Sequence, residues 1–197
     1  MTGINSVFFY APMIFEQSGI GTDAAFMQAV MVGIVYLVFT VTAILLIDKL
    51  GRRPLLIAGL AIISFCMLLL AWAFSAASYT PGGELVGVNP VIILIGILGF
   101  VAGFAISLGP VMWVLFSELF PNRIRGIAIS FVGLINSSVS FLVQLVFPWE
   151  LENFGPSTTF LIYGIFAVIG LVFVFRTLPE TKGRSLEELE AELVSGK

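Results

Sequence analysis

The sequence predicts an all-α, polytopic membrane helix bundle. Three observations carry that reading: very little charge, five long segments without any, and basic residues confined to alternate connections. Charged residues make up 11% of the 197, whereas soluble domains average about 25%. A surface this poor in charge is suited to lipid rather than water. The segments 24–47, 54–77, 90–117, 126–147 and 157–175 contain no Asp, Glu, Lys or Arg. A hydrocarbon core of ~30 Å needs roughly 20 helical residues at 1.5 Å each, and every segment reaches or nearly reaches that length. The apolar runs are continuous rather than alternating, which argues against barrel strands.

Orientation comes from the nine basic residues. Lys49, Arg52, Arg53, Arg123, Arg125, Arg176, Lys182, Arg184 and Lys197 all lie in the connections 48–53 and 118–125 or in the tail from 176. The connections 16–23, 78–89 and 148–156 contain none. Alternate connections share one side of the membrane, so the positive-inside rule puts the basic ones and the C-terminus in the cytoplasm.

The first segment, 3–15, is apolar but short, so it is either re-entrant or the later part of a helix. The turn 48–53 hands over to Pro54, suited to the first turn of the next helix. The connection 78–89 carries the turn residues Pro81-Gly82-Gly83. In segment 90–117, Gly99, Gly103 and Ser107 form a small-residue face for close helix packing, and Gly109-Pro110 is expected to break the helix. Asn136, Ser137, Ser140 and Gln144 fall within an arc of roughly 100° on segment 126–147. Lipid penalises exposed amides, so this stripe is expected to face the bundle interior. On segment 24–47, Gln28 and Tyr36 share roughly one face. Beyond Pro179, Ser185 and Glu188 form a capping box, and Leu186, Leu189 and Leu193 form a stripe. Together they predict a short amphipathic helix along the membrane face.

Several function classes fall away. With no His and the single Cys66 inside an apolar span, zinc and Cys/His chemistry have no ligands. No basic patch suits nucleic acid, no basic region precedes the first apolar stretch as in a signal peptide, and neither an enzyme nor a cofactor is expected. The complete spans hold no ionisable residue except the thiol and phenols, so ion coupling has no obvious carrier there. Hydroxyls, amides and aromatics point instead to a neutral, hydroxyl-rich solute.

Two features invite functional readings, each with a plainer alternative. Asp48 and Glu118 sit near helix C-termini, while Arg52, Arg53 and Arg125 sit near N-termini. Each placement opposes the helix dipole. Pairing Glu118 with Arg125, or with Arg52 and Arg53, would offset that and make a gate at the cytoplasmic mouth; solvated loop charges are the alternative. Trp113, one turn past the expected break, is placed either to pack at a kink or to stack on a sugar ring and donate its indole N–H.

At these residues the chain resembles the sugar porter family of the major facilitator superfamily. The matching motifs are Gly3-Ile4-Asn5 with Phe9-Tyr10-Ala11-Pro12, then Asp48 to Arg53, Gly109 to Trp113, Ser117 to Pro121, Ile124-Arg125-Gly126 and Pro179 to Gly183. The resemblance implies helices 7 to 12 of a twelve-helix carrier with the first truncated: a bundle over 1–177 and a cytoplasmic tail over 178–197. By position it assigns Asn5, Phe104, Trp113 and Asn136 to the sugar pocket, together with Tyr36, where relatives often carry an Asn. Ser137 stands where many relatives carry a Trp. Phe9 and Tyr10 become an outer gate with the Gly109-Pro110 break, and Arg52, Arg53, Glu118, Arg125 and Glu180 a cytoplasmic gate.

The family's glutamine pair ahead of Gly3 is missing, which makes Met1 either a start or an internal residue. The expected function is monosaccharide transport by alternating access in the plasma (cell inner) membrane. The expected partners are the sugar, the bilayer and the missing N-terminal six-helix half. A sugar sensor that does not translocate and a non-functional fragment are the rival readings.

Overall fold

A computed structural model describes residues 3–8, 22–76, 78–79, 85–86, 89–120, 123–178 and 180–182. After a helical turn at 4–8 come α1 (Thr22–Leu50), α2 (Arg52–Ser75), α3 (Pro90–Ile106), α4 (Leu108–Leu119) and α5 (Arg125–Thr177). A two-residue antiparallel ladder, β1 (Ser78–Tyr79) with β2 (Leu85–Val86), closes the loop between α2 and α3. Among the described residues, four stretches are long and apolar enough to cross a membrane: Val30–Leu50, Arg52–Ser75, Pro90–Glu118 and Arg125–Thr177.

The helix starts follow local chemistry. Gly51, at φ 94°, turns the chain between α1 and α2, and Pro54 lies in the first turn of α2 as expected. Asn89 caps α3, accepting the Val91 N–H at 3.0 Å, with Pro90 at the first helical position.

Two expected boundaries are corrected. The connection at 148–156 is helical on both sides of a single non-helical residue, Gly155 (φ 76°, ψ 162°). The 53 residues of α5 would make a rod of about 80 Å, far longer than a bilayer core, so the helix has to turn. It does so at Gly155. The Tyr163 hydroxyl on the later arm donates to Glu150 on the earlier arm at 2.8 Å, and the Phe147 and Tyr163 rings lie 6.0 Å apart. Pro156 follows the bend, where its missing N–H costs nothing.

The second correction concerns Gly109-Pro110. Both residues lie inside α4, and the break falls at Ser107 (φ −126°, ψ −91°). A proline ring collides with the carbonyl four residues earlier, here Ile106, so the disruption falls ahead of Pro110. The Ser107 N–H bonds the Phe104 carbonyl at 3.2 Å and its hydroxyl bonds the Gly103 carbonyl at 2.6 Å.

The small-residue face of α3 meets α2, as its spacing predicted. A Cβ on Gly59 would overlap the Ser107 side chain and approach the Gly103 carbonyl oxygen to 2.7 Å. One on Gly99 would lie 2.7 Å from the Cys66 sulfur, and one on Gly96 equally close to Leu70. The main core surrounds this seam, with Ile63, Met67 and Leu70 of α2, Ile97 and Phe100 of α3, and Phe147 and Phe160 of α5. A smaller core at the basic end joins Ile47, Leu55, Leu56, Val111 and Leu115. Large apolar side chains of α1 and α5, among them Leu37, Leu45, Leu134, Phe141 and Phe175, point outward, as lipid contact requires.

Candidate functional site

The bundle contains a cleft of about 460 Å³. Asn5, Tyr36, Phe104, Trp113 and Asn136 come from five different elements, and all line it. The bends explain the convergence. The break at Ser107 lets α4 lean independently of α3, so Gly109, Met112 and Trp113 join Phe104 on the wall. The fold at Gly155 lays the later arm of α5 behind the earlier one, and Phe166, Gly170 and Phe173 join Leu60 in an apolar extension.

The polar part of the lining is Asn5, Tyr36, Trp113, Asn136 and Ser140. The Asn5 side-chain amide donates to the Ser140 hydroxyl, pinning the 4–8 turn to α5. The Tyr36 ring meets Phe8 edge-on at 5.1 Å, and Trp113 meets Phe116 edge-on at 6.2 Å. Trp113 and Asn136 remain exposed, so this part opens to one side of the bundle. Amides, a hydroxyl, a phenol and an indole can together hydrogen-bond and stack against a small polyhydroxylated ring.

Of the polar stripe, Asn136 and Ser140 line the cleft, Gln144 donates to the Ser140 carbonyl at 3.2 Å, and Ser137 is exposed outside it. Gly109 lines the cleft but Pro110 does not. Phe9 and Tyr10, the expected outer gate, lie outside the described residues, as does the amphipathic tail segment 183–197. Sequence reasoning missed Phe8, Met112, Leu60 and the later arm of α5. These are apolar residues with no chemical tag, and only the packing reveals them. Among the described residues no three metal-ligating side chains cluster.

A second cluster occupies the basic end. Arg52 grips Glu118 through Nη2 at 2.7 Å and through Nε at 3.0 and 3.2 Å from the two carboxylate oxygens. It also reaches Asp48 at 3.1 Å and the Ile47 carbonyl at 3.1 Å. Thr181 donates its hydroxyl to Glu118 at 2.8 Å. Glu180 accepts the backbone N–H groups of Arg52 and Arg53 at 3.0 and 3.1 Å, and so caps α2 with a negative charge at its positive end. A Cβ on Gly51 would lie 2.7 Å from that carboxylate, so glycine is needed there for space as well as for φ.

The pairing differs from the wider network the sequence allowed. Arg125 donates to the Phe120 carbonyl at 3.2 Å, and Arg53 donates to the Phe175 carbonyl at 2.9 Å. Of the three arginines, Arg52 is the one that bonds Glu118. Glu118, at the end of α4, is therefore tied to the start of α2 and to the segment after α5.

The chain matches the family described as "Sugar (and other) transporter" over residues 1–193. It is 40% identical over 195 residues to a D-xylose-proton symporter of Escherichia coli K12, covering 96% of this chain and 38% of that protein. It is 36% identical to an arabinose-proton symporter of Bacillus subtilis over 95% of this chain and 39% of the relative. A glucose facilitated diffusion protein of Zymomonas mobilis is also 36% identical, over 96% and 39% of the two chains. The chain thus spans about two-fifths of the length of these relatives.

Among solved structures, it is similar to the proton:xylose symporter bound to 6-bromo-6-deoxy-D-glucose. The TM-score is 0.81 at 40% identity, covering 96% of this chain and 39% of the other. Against an inward open conformation of the E. coli xylose transporter the TM-score is 0.73 at 35% identity, covering 96% and 42%.

Proposed function

Because the chain belongs to the sugar (and other) transporter family of the major facilitator superfamily, we propose that it forms the C-terminal bundle of a monosaccharide carrier working by alternating access. The observation that supports this best is the convergence of Asn5, Tyr36, Phe104, Trp113 and Asn136 on one open cleft. Its substrate is a pentose or hexose, held by Asn5 and Asn136 through hydrogen bonds and by Trp113 through stacking. The exposed polar side of the cleft faces a second, N-terminal bundle, because lipid cannot satisfy those groups. Residues 1–177 form the membrane bundle and 178–197 the tail. The basic end and the C-terminus lie in the cytoplasm, and the membrane is the plasma membrane.

The mechanism is mechanical and breaks no covalent bond. α4 carries Trp113 near the sugar and Glu118 at the cytoplasmic mouth, with a break in the helix at Ser107 above both. Tilting α4 about that break would move the indole and pull Glu118 from Arg52 together. The intact ion pair belongs to the state closed on the cytoplasmic side, and its rupture lets this bundle rock against its partner. Phe9 and Tyr10 close the outer side.

The test is sugar affinity in the assembled carrier. Trp113→Ala and Asn136→Ala should each weaken D-xylose or D-glucose binding by about 5- to 150-fold, the loss of ~1–3 kcal/mol for one buried hydrogen bond or stacked ring. Wild-type affinity in both folded variants would refute the site.

A further inference from the structure

We propose that Tyr163 is a positioning residue for the sugar site: pinned by Glu150, its ring seats the Gly3 backbone and so holds Asn5 at the cleft. This rests on the reading of Asn5 as a sugar ligand.

The turn at 4–8 has few polar anchors. Ile4 and Val7 are buried in the main core, and the buried Ser6 hydroxyl has no hydrogen-bond partner among the described residues. Packing therefore does most to set the register of this turn. At one end Phe8 meets Tyr36 at 5.1 Å. At the other, Gly3 adopts φ 72°, and a Cβ there would lie 3.5 to 3.6 Å from the Tyr163 ring, so the ring sits flush against the glycine. Between these contacts Asn5 projects to the cleft and bonds Ser140.

Tyr163 is itself held in place. A phenol in apolar surroundings needs a polar partner, and Glu150 supplies it at 2.8 Å from across the Gly155 bend. The Phe147 ring flanks the same side chain at 6.0 Å. With its hydroxyl held by Glu150 and the Phe147 ring beside it, the long axis of the phenol is fixed, and the ring cannot move away from Gly3 without straining that bond. Hydrogen bonds weaken steeply with distance and angle, so a small shift of Gly3 would degrade the contacts Asn5 makes two residues later.

A double-mutant cycle on D-xylose and D-glucose binding to the assembled carrier tests this. Tyr163→Leu should weaken binding on the order of tenfold in the wild-type background but less than about twofold once Asn5 is alanine. In a Trp113→Phe background the full effect should persist. Tyr163→Phe and Glu150→Gln, which keep the ring or the side-chain volume, should give smaller losses that also vanish with Asn5→Ala; they carry the cycle if Tyr163→Leu does not fold. Wild-type affinity in the Tyr163 and Glu150 variants, or losses additive with Asn5→Ala, would overturn the positioning role while leaving the site intact. If Asn5→Ala itself binds sugar like wild type, Asn5 is not a ligand and both readings fall.

Discussion

Replacing Glu118 by Gln should loosen the basic end of the bundle. The substitution removes the charge that meets Arg52 at 2.7, 3.0 and 3.2 Å, and it turns the Thr181 bond from charged to neutral. The Arg52 side chain is 11% exposed and that of Glu118 28%. The pair therefore stands between an exposed bridge, worth about 0.2–1 kcal/mol, and a buried one, whose disruption costs about 3–5 kcal/mol. Arg52 keeps Asp48 and the Ile47 carbonyl, and a glutamine oxygen still accepts one bond, so the loss falls toward the lower side. About 1–2 kcal/mol would change the ratio of closed to open states by a factor of roughly 5–30. Cysteine labelling at the basic end of the sugar-free carrier should rise accordingly, and less so at high salt. The Asp48 side chain is 79% exposed, so Asp48→Asn should shift labelling far less. Equal labelling of Glu118→Gln and wild type, with and without sugar, would refute the gating argument. So would a larger effect from Asp48→Asn.

Gly59→Ala should destabilise the bundle by about 1–3 kcal/mol, because its Cβ meets Ser107 and the Gly103 carbonyl; an unchanged melting temperature in detergent would count against the α2–α3 seam. Glu180→Ala should cost on the order of 1–3 kcal/mol, since it strips the acceptor from two N–H groups at the start of α2, and hydrogen exchange over the first turn of α2 should rise. A cysteine at position 83 should react with an impermeant reagent added from outside and one at position 183 should not; the reverse pattern would invert the orientation.

Much of the fold was legible along the chain. Charge-free length and the segregation of basic residues are one-dimensional properties, and the membrane acts on each segment through its own solvation. The spacing of Gly99, Gly103 and Ser107 was readable for the same reason, since a four-residue repeat puts small residues on one helix face whatever the partner is. The position of Pro110 announced a break, but the residue that breaks is Ser107, because the proline ring acts on the turn before it. Pro148 and Pro156 looked like loop residues, yet the helix runs through one and restarts at the other, with Gly155 alone taking the bend.

The site divides in the same way. Polar side chains in apolar spans mark themselves, because burying them is costly unless something uses them; Trp113 and Asn136 were visible on those grounds, and Asn5 only through the family resemblance. Partnership was not visible. Arg52, Arg53 and Arg125 are equivalent in type, and the tertiary structure gives Glu118 to Arg52 because attraction falls with distance and only that guanidinium is brought within reach. Tyr163 and Glu150 lie thirteen residues apart and carry no motif; they meet because α5 folds back at Gly155. What solvent demands of each segment was written in the order of its residues, whereas which side chains touch depended on how the helices bend and cross.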